Sequence, residues 1–112
     1  MLNRDKVSFE TILISIDKII EYSSEFDEPS SFYNTKEFEA SIMNFIIISE
    51  IAEKITLVVQ ENYSFIDWRG IKGFRNIAAH DYFGLDVKEV WDIIHNDLPK
   101  LQKEIKEIIS NF

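Results

Sequence analysis

The chain has no cysteine. Disulfides, thiolate metal ligands and cysteine nucleophiles are therefore excluded. Glycine occurs three times and proline twice in 112 residues. That is too few for the many tight turns of a β protein and suits long helices. Long hydrophobic runs are missing as well. The longest, Phe45 to Ile48, falls far short of the roughly 20 apolar residues that a spanning helix needs. The start, Met1-Leu2-Asn3-Arg4-Asp5-Lys6, carries no apolar signal core, so no membrane association and a cytoplasmic location are expected. Positive charge is scarce: 12 Lys and Arg stand against 20 Asp and Glu, a net charge of −8. Such a balance opposes binding to a polyanion unless the charge is unevenly spread.

It is unevenly spread. Residues 1–66 carry 12 acidic and five basic side chains, and residues 83–112 carry six and four. Between them, residues 67–82 hold Asp67 and Asp81 against Arg69, Lys72 and Arg75, a net charge of +1. Clustering by chance in so short a window is an open alternative. Apolar residues make up 46% of the chain, which fits a globular protein, and the length fits one domain spanning 1–112.

Helical periodicity recurs throughout. Phe9, Ile12, Leu13, Ile16, Ile19 and Ile20 line one face of a first helix, which should end near Glu25, before a loop at Asp27-Glu28-Pro29-Ser30-Ser31. A second helix is expected from about Thr35 to about Asn62. Its centre, Ile42 to Ile51, is apolar nearly all round, which calls for packing on several sides, one of them open to a partner chain. Glu50, inside that stretch, is expected to pair with a buried donor. A third helix opens at Asp67 as N-cap, with Ile66 and Ile71 placed as a hydrophobic staple, and should run through Arg75 towards His80. A fourth opens at Asp86 with Glu89 three residues on, and Val87, Val90, Trp91 and Ile94 form its inner face. The last starts near Asp97-Leu98-Pro99 and repeats apolar residues at Leu101, Ile105, Ile108 and Phe112. The expected fold is all-α, an up-and-down helical bundle of about five helices.

The stretch from Asp67 to Tyr82 carries the chemistry. At about 100° per residue, Lys72, Gly73, Asn76 and His80 fall within about 60° of Arg69 on a helical wheel, while Ile71, Phe74 and Ala78 fall opposite. Asn76 and His80 are stacked neighbours at i and i+4. Arg75 stands about 140° from His80, so it must reach round, or the helix must loosen near Ala79, or it must serve His80 of a second copy. Gly73 on the same strip would admit a close backbone or a phosphate. An imidazole moves protons near neutral pH, a guanidinium forks onto a phosphate, and an amide can fix the imidazole tautomer. Together these suit RNA cleavage by 2′-hydroxyl attack, with two imidazoles supplied by a two-fold dimer. The residues alone leave a plainer role open, in which His80 caps the helix C-terminus.

Arg75-Asn76 with His80 resembles the R-x4-H motif of the HEPN superfamily, and His80-Asp81-Tyr82 extends it to the R-x4-H-x-Y form of the HepT-like toxins. Asp67-Trp68 before the motif, Asp86-Val87 with Val90-Trp91, and Asp97-Leu98-Pro99-Lys100-Leu101 resemble the family's other landmarks. Ser49-Glu50-Ile51-Ala52 stands in place of its G-E-A stretch, with Ser where Gly is usual. The resemblance implies a HEPN-like helical homodimer and a metal-independent endoribonuclease with no cofactor. Arg75 and His80 would be the counterparts of its catalytic pair; the helical strip itself adds Asn76 as a third catalytic candidate and Arg69 and Lys72 for RNA. It also implies a toxin–antitoxin setting with an MntA-type nucleotidyltransferase antitoxin that transfers AMP to Tyr82. The charge and bulk of AMP two residues from His80 would repel RNA.

Other features have simpler readings. Tyr82 by itself reads as a packed aromatic. Glu50 and Glu53 lack the Glu-x-x-His partner of a di-metal bundle, so no metal is expected. His95 follows Asp92 without a third ligand and reads as a surface or capping residue. Trp68 and Trp91 read as core anchors, and no glycine-rich phosphate loop occurs. Two alternatives to the toxin stand: a non-catalytic helical subunit that binds substrate or nucleotide for a partner nucleotidyltransferase, and a plain interaction bundle.

Overall fold

The computed structural model describes residues 3–77 and 87–112, and within them the chain is helical with no strand. In order come α1 (Asn3–Ser23), α2 (Pro29–Phe32), α3 (Lys36–Lys54), α4 (Leu57–Asn62), α5 (Trp68–Lys72), α6 (Val87–Asp92) and α7 (Leu98–Ser110). Residues 74–77 are also helical. None of the described helices is long and apolar enough to cross a membrane.

The core forms where three amphipathic faces meet. Phe9, Ile12, Ile16 and Ile19 of α1 pack with Phe38, Ile42, Phe45 and Ile48 of α3 and with Leu98, Leu101, Ile105 and Ile108 of α7. Each such side chain, fully buried, contributes roughly 1.5–3 kcal/mol. Phe32 joins them, ringed by Phe26, Phe38 and Trp91 at centroid distances of 5.2–5.7 Å. Phe112, more exposed, still closes on Phe9 at 6.3 Å.

Four expected boundaries are corrected. The first helix stops at Ser23, and the loop that follows contains a helical turn, because Pro29 fits a first helical position. The second helix starts as expected, with the Thr35 hydroxyl accepting from the Phe38 N–H at 3.1 Å. It then breaks at Ile55–Thr56, where both residues are extended. Asp5, wholly buried in the first turn of α1, holds that corner: its carboxylate accepts from the Thr56 N–H at 3.1 Å and the Thr56 hydroxyl at 3.2 Å. The helix opened by Asp67 is interrupted at Gly73 instead of running on unbroken. The fourth and fifth helices run on from one another. Ile93–Asp97 form a π-helical turn in which the Leu98 N–H reaches the Ile93 carbonyl. Pro99 offers no N–H to the carbonyl of His95 and would crowd it, and the wider turn absorbs the misfit without ending the helix. Asp86, expected as an N-cap, lies outside the described residues.

Candidate nucleic-acid interface

The short helix α5 is tied down at both ends. Asp67 caps it by accepting from the Gly70 N–H at 3.0 Å, and a Cβ at Gly70 would collide with that carboxylate. Ile66 and Ile71 are both buried, as a staple requires. The Trp68 indole N–H donates to the Tyr63 carbonyl at 3.1 Å. At the C-terminal end, the buried Ser49 hydroxyl of α3 donates to the Lys72 carbonyl at 2.8 Å. The Lys72 ammonium donates to Gln60 Oε1 at 3.0 Å, and Gln60 Nε2 donates on to the Ile55 carbonyl at 2.8 Å. Two faces of the helix are thereby tied to α3 and to α4.

Ser49 thus has a defined task where the HepT-like pattern has Gly: its hydroxyl satisfies a carbonyl left open at a helix end. Beyond it, Gly73 closes α5 in a right-handed conformation, and the Asn76 N–H returns to the Gly73 carbonyl at 2.9 Å. In the four residues that follow, Phe74 and Ile77 are buried while Arg75 and Asn76 are exposed. Phe74 locks this turn against Phe45, edge to face at 5.1 Å.

Of the expected site residues, Arg69, Arg75 and Asn76 are exposed, and Lys72 is half-buried and committed to Gln60. Arg75 lies 4.0 Å from Glu53 of α3, with both side chains about half exposed. An exposed pair at that distance holds weakly and leaves the guanidinium free to turn to a phosphate. His80 and Tyr82 lie outside the described residues, as do Ala79 and Asp81. Glu50 faces solvent, which corrects the expectation that it pairs with a buried donor: it sits on the one face of α3 not packed against the bundle. His95 is exposed, its Nδ1 2.8 Å from the Trp91 carbonyl and its ring over the Trp91 indole at 4.3 Å. Trp68 and Trp91 are partly buried against the core.

The structural neighbours of the motif are not legible in the sequence. In the sequence Glu53 reads only against a metal role, and nothing adjacent to Gln60 or Ser49 names their partners. A signal existed for Ser49 and Gln60, since polar groups inside apolar surroundings require partners. Among the described residues no group of three or more His, Asp or Glu could hold a metal ion. Behind α5, a cavity of about 140 Å³ opens between Ile71 and Phe74 on one side and Lys100, Leu101 and Glu104 on the other.

The family described as Ribonuclease HepT-like matches residues 12–108. A provisionally named RNase of Methanocaldococcus jannaschii is 32% identical over 108 residues, covering 95% of this chain and 98% of the relative. A second from that organism is 30% identical over 113 residues, covering 99% and 97%. A third, named as a gamma-glutamylcyclotransferase and provisionally an RNase, is 32% identical over 105 residues and 94% of this chain; the chain spans only 47% of that protein's length. No solved structure matches the chain significantly.

Proposed function

The chain belongs to the ribonuclease HepT-like family, and from that premise we propose that it is an endoribonuclease that cuts RNA without a metal ion, in a cleft built by two copies of the chain. The observation that carries the reading is the display of Arg75 and Asn76 to solvent from a segment otherwise clamped into the core, within the least acidic stretch of the chain. Fixed donors beside the reacting group are what phosphate chemistry requires.

In this mechanism the Arg75 guanidinium forks onto the scissile phosphate and takes up its developing charge. The 2′-hydroxyl attacks phosphorus, the bond to the 5′-oxygen breaks, and a 2′,3′-cyclic phosphate remains. One His80 imidazole accepts the 2′-hydroxyl proton, and the imidazole of the second copy gives a proton to the 5′-oxygen. Asn76, at i and i+4 to His80, orients it. Arg69, which is exposed, steadies the flanking strand, while the Lys72 ammonium is held by Gln60. We further propose that the protein is the toxin of a toxin–antitoxin pair. An MntA-type nucleotidyltransferase silences it by AMP transfer: the Tyr82 phenol oxygen bonds to the α-phosphorus of ATP, the α–β anhydride bond breaks, and pyrophosphate and the phenol proton leave, placing negative charge two residues from His80.

The test is RNA cleavage with a chelator present by wild type, Arg75→Ala and His80→Ala. Wild type alone should cut, leaving 2′,3′-cyclic ends. Equal cutting by all three would sink the assignment of Arg75 and His80. No cutting by any, with an intact mass showing no AMP on Tyr82, would sink the ribonuclease reading in favour of a non-catalytic subunit.

A further inference from the structure

The loop between α4 and α5 carries an aromatic side chain that the core does not use. Phe65 is 54% exposed, and Leu57 and Val58 on the adjoining helix are 71% and 67% exposed. Phe65, Leu57 and Arg69 line one shallow groove, together with Glu61 and Asp67. Single exposed apolar residues are ordinary, but several around a groove mark a contact surface.

The loop is rigid. The Ile66 N–H and the Trp68 indole both donate to the Tyr63 carbonyl at 3.1 Å, and the Trp68 N–H donates to the Ile66 carbonyl at 2.9 Å. The Phe65 ring is braced at right angles by Tyr63 at 6.0 Å, and Tyr63 rests in turn on the fully buried Phe9 at 6.2 Å. An exposed ring held this way loses little entropy when a partner stacks on it. Arg69 at the same groove is exposed and has no ion-pair partner among the described residues. The Asp67 carboxylate is occupied by the Gly70 N–H.

We propose that Phe65 is a stacking platform for a base of single-stranded RNA beside the scissile step, with Arg69 holding the adjoining backbone. The proposal rests on the ribonuclease reading above. Aromatic rings and guanidinium planes are how proteins grip unpaired bases. Arg69 and Asn76 are close in sequence and both exposed, so a strand crossing Arg75 and Asn76 reaches the groove within a short span. With Glu61 and Asp67 beside Arg69, the groove is not a phosphate trap, and the face of the base supplies the main contact. Its contribution should therefore depend little on salt.

Fluorescence anisotropy with a labelled pool of random 2′-O-methyl octaribonucleotides, which lack the attacking hydroxyl, tests this on the full chain. Phe65→Ala should weaken binding about tenfold, Phe65→Leu nearly as much, and Phe65→Trp should stay within about twofold of wild type. The loss should be alike at low and at moderate salt. Wild-type binding with Phe65→Leu unaffected would overturn stacking and leave the ribonuclease reading standing. So would unchanged RNA affinity in Phe65→Ala with a change in solution mass, which would give the patch to a protein contact. Failure of wild type itself to bind would sink the ribonuclease reading and this proposal together.

Discussion

Arg75 meets a carboxylate before it meets any RNA. Glu53 stands 4.0 Å away with its side chain 49% exposed, at the limit of an ion pair and open to solvent, where such pairs contribute about 0–1 kcal/mol. An interaction that weak does little to position the guanidinium, but its charge competes with the phosphate that Arg75 is proposed to bind. Glu53→Gln should keep the fold and tighten binding of an uncleavable RNA by up to about fivefold at low salt, the fold-change equivalent of the upper end of that pair energy. The gain should fade as salt screens both charges. Anisotropy titrations at two salt concentrations check this, and weaker binding by Glu53→Gln would assign Glu53 a positioning role instead. The pair was hard to find in the sequence, because Glu53 and Arg75 are 22 positions apart and only the packing of α3 against α5 brings them together.

At the scale of elements, legibility followed the source of each boundary. Helix starts set by their own residues could be read: Thr35 and Asp67 both cap as their sequence positions suggest. Helix stops set by distant groups could not. Nothing local ends α3 at Lys54, since the Ile-Thr-Leu-Val-Val stretch that follows continues the apolar pattern. The stop comes from Asp5, 51 positions earlier, which takes the Thr56 N–H and hydroxyl for itself. The interruption at Gly73 is of the same kind, because the Lys72 carbonyl is claimed by Ser49, 23 positions before it. That interruption matters to the site. Arg69 on one side of it and Arg75 and Asn76 on the other are all exposed. Asp5→Ala would leave the Thr56 N–H without its partner in a half-buried corner and open a gap in α1's first turn, at a cost of about 1–2 kcal/mol. For a chain of this size the melting temperature should fall by several degrees. A thermal melt that matches wild type would show that the α3–α4 corner does not depend on Asp5.

At the scale of the whole molecule, α3 presents two different faces. Phe38, Ile42, Phe45 and Ile48 are buried in the chain's own core. The opposite stripe, from Glu39 through Met43 and Ile47 to Glu50 and Glu53, is left wholly or partly open, with Met43 57% exposed. A helix apolar on nearly all sides is stable when a second surface covers it, and this stripe ends at Glu53, beside Arg75. A two-fold contact centred on Met43 and Ile47 would bring the two motif segments towards one another and let two His80 side chains serve one cleft. Met43→Lys should therefore place two ammonium groups face to face in that contact while leaving each monomer folded, since the position is already exposed. Light scattering should show the mass falling from twice 13.2 kDa to 13.2 kDa. RNA cleavage should be lost although Arg75, Asn76 and His80 are untouched, and Met43→Leu should retain both dimer and activity. A monomeric Met43→Lys that still cleaves RNA would show that one copy holds a complete site. A dimeric Met43→Lys would move the two-fold contact away from α3.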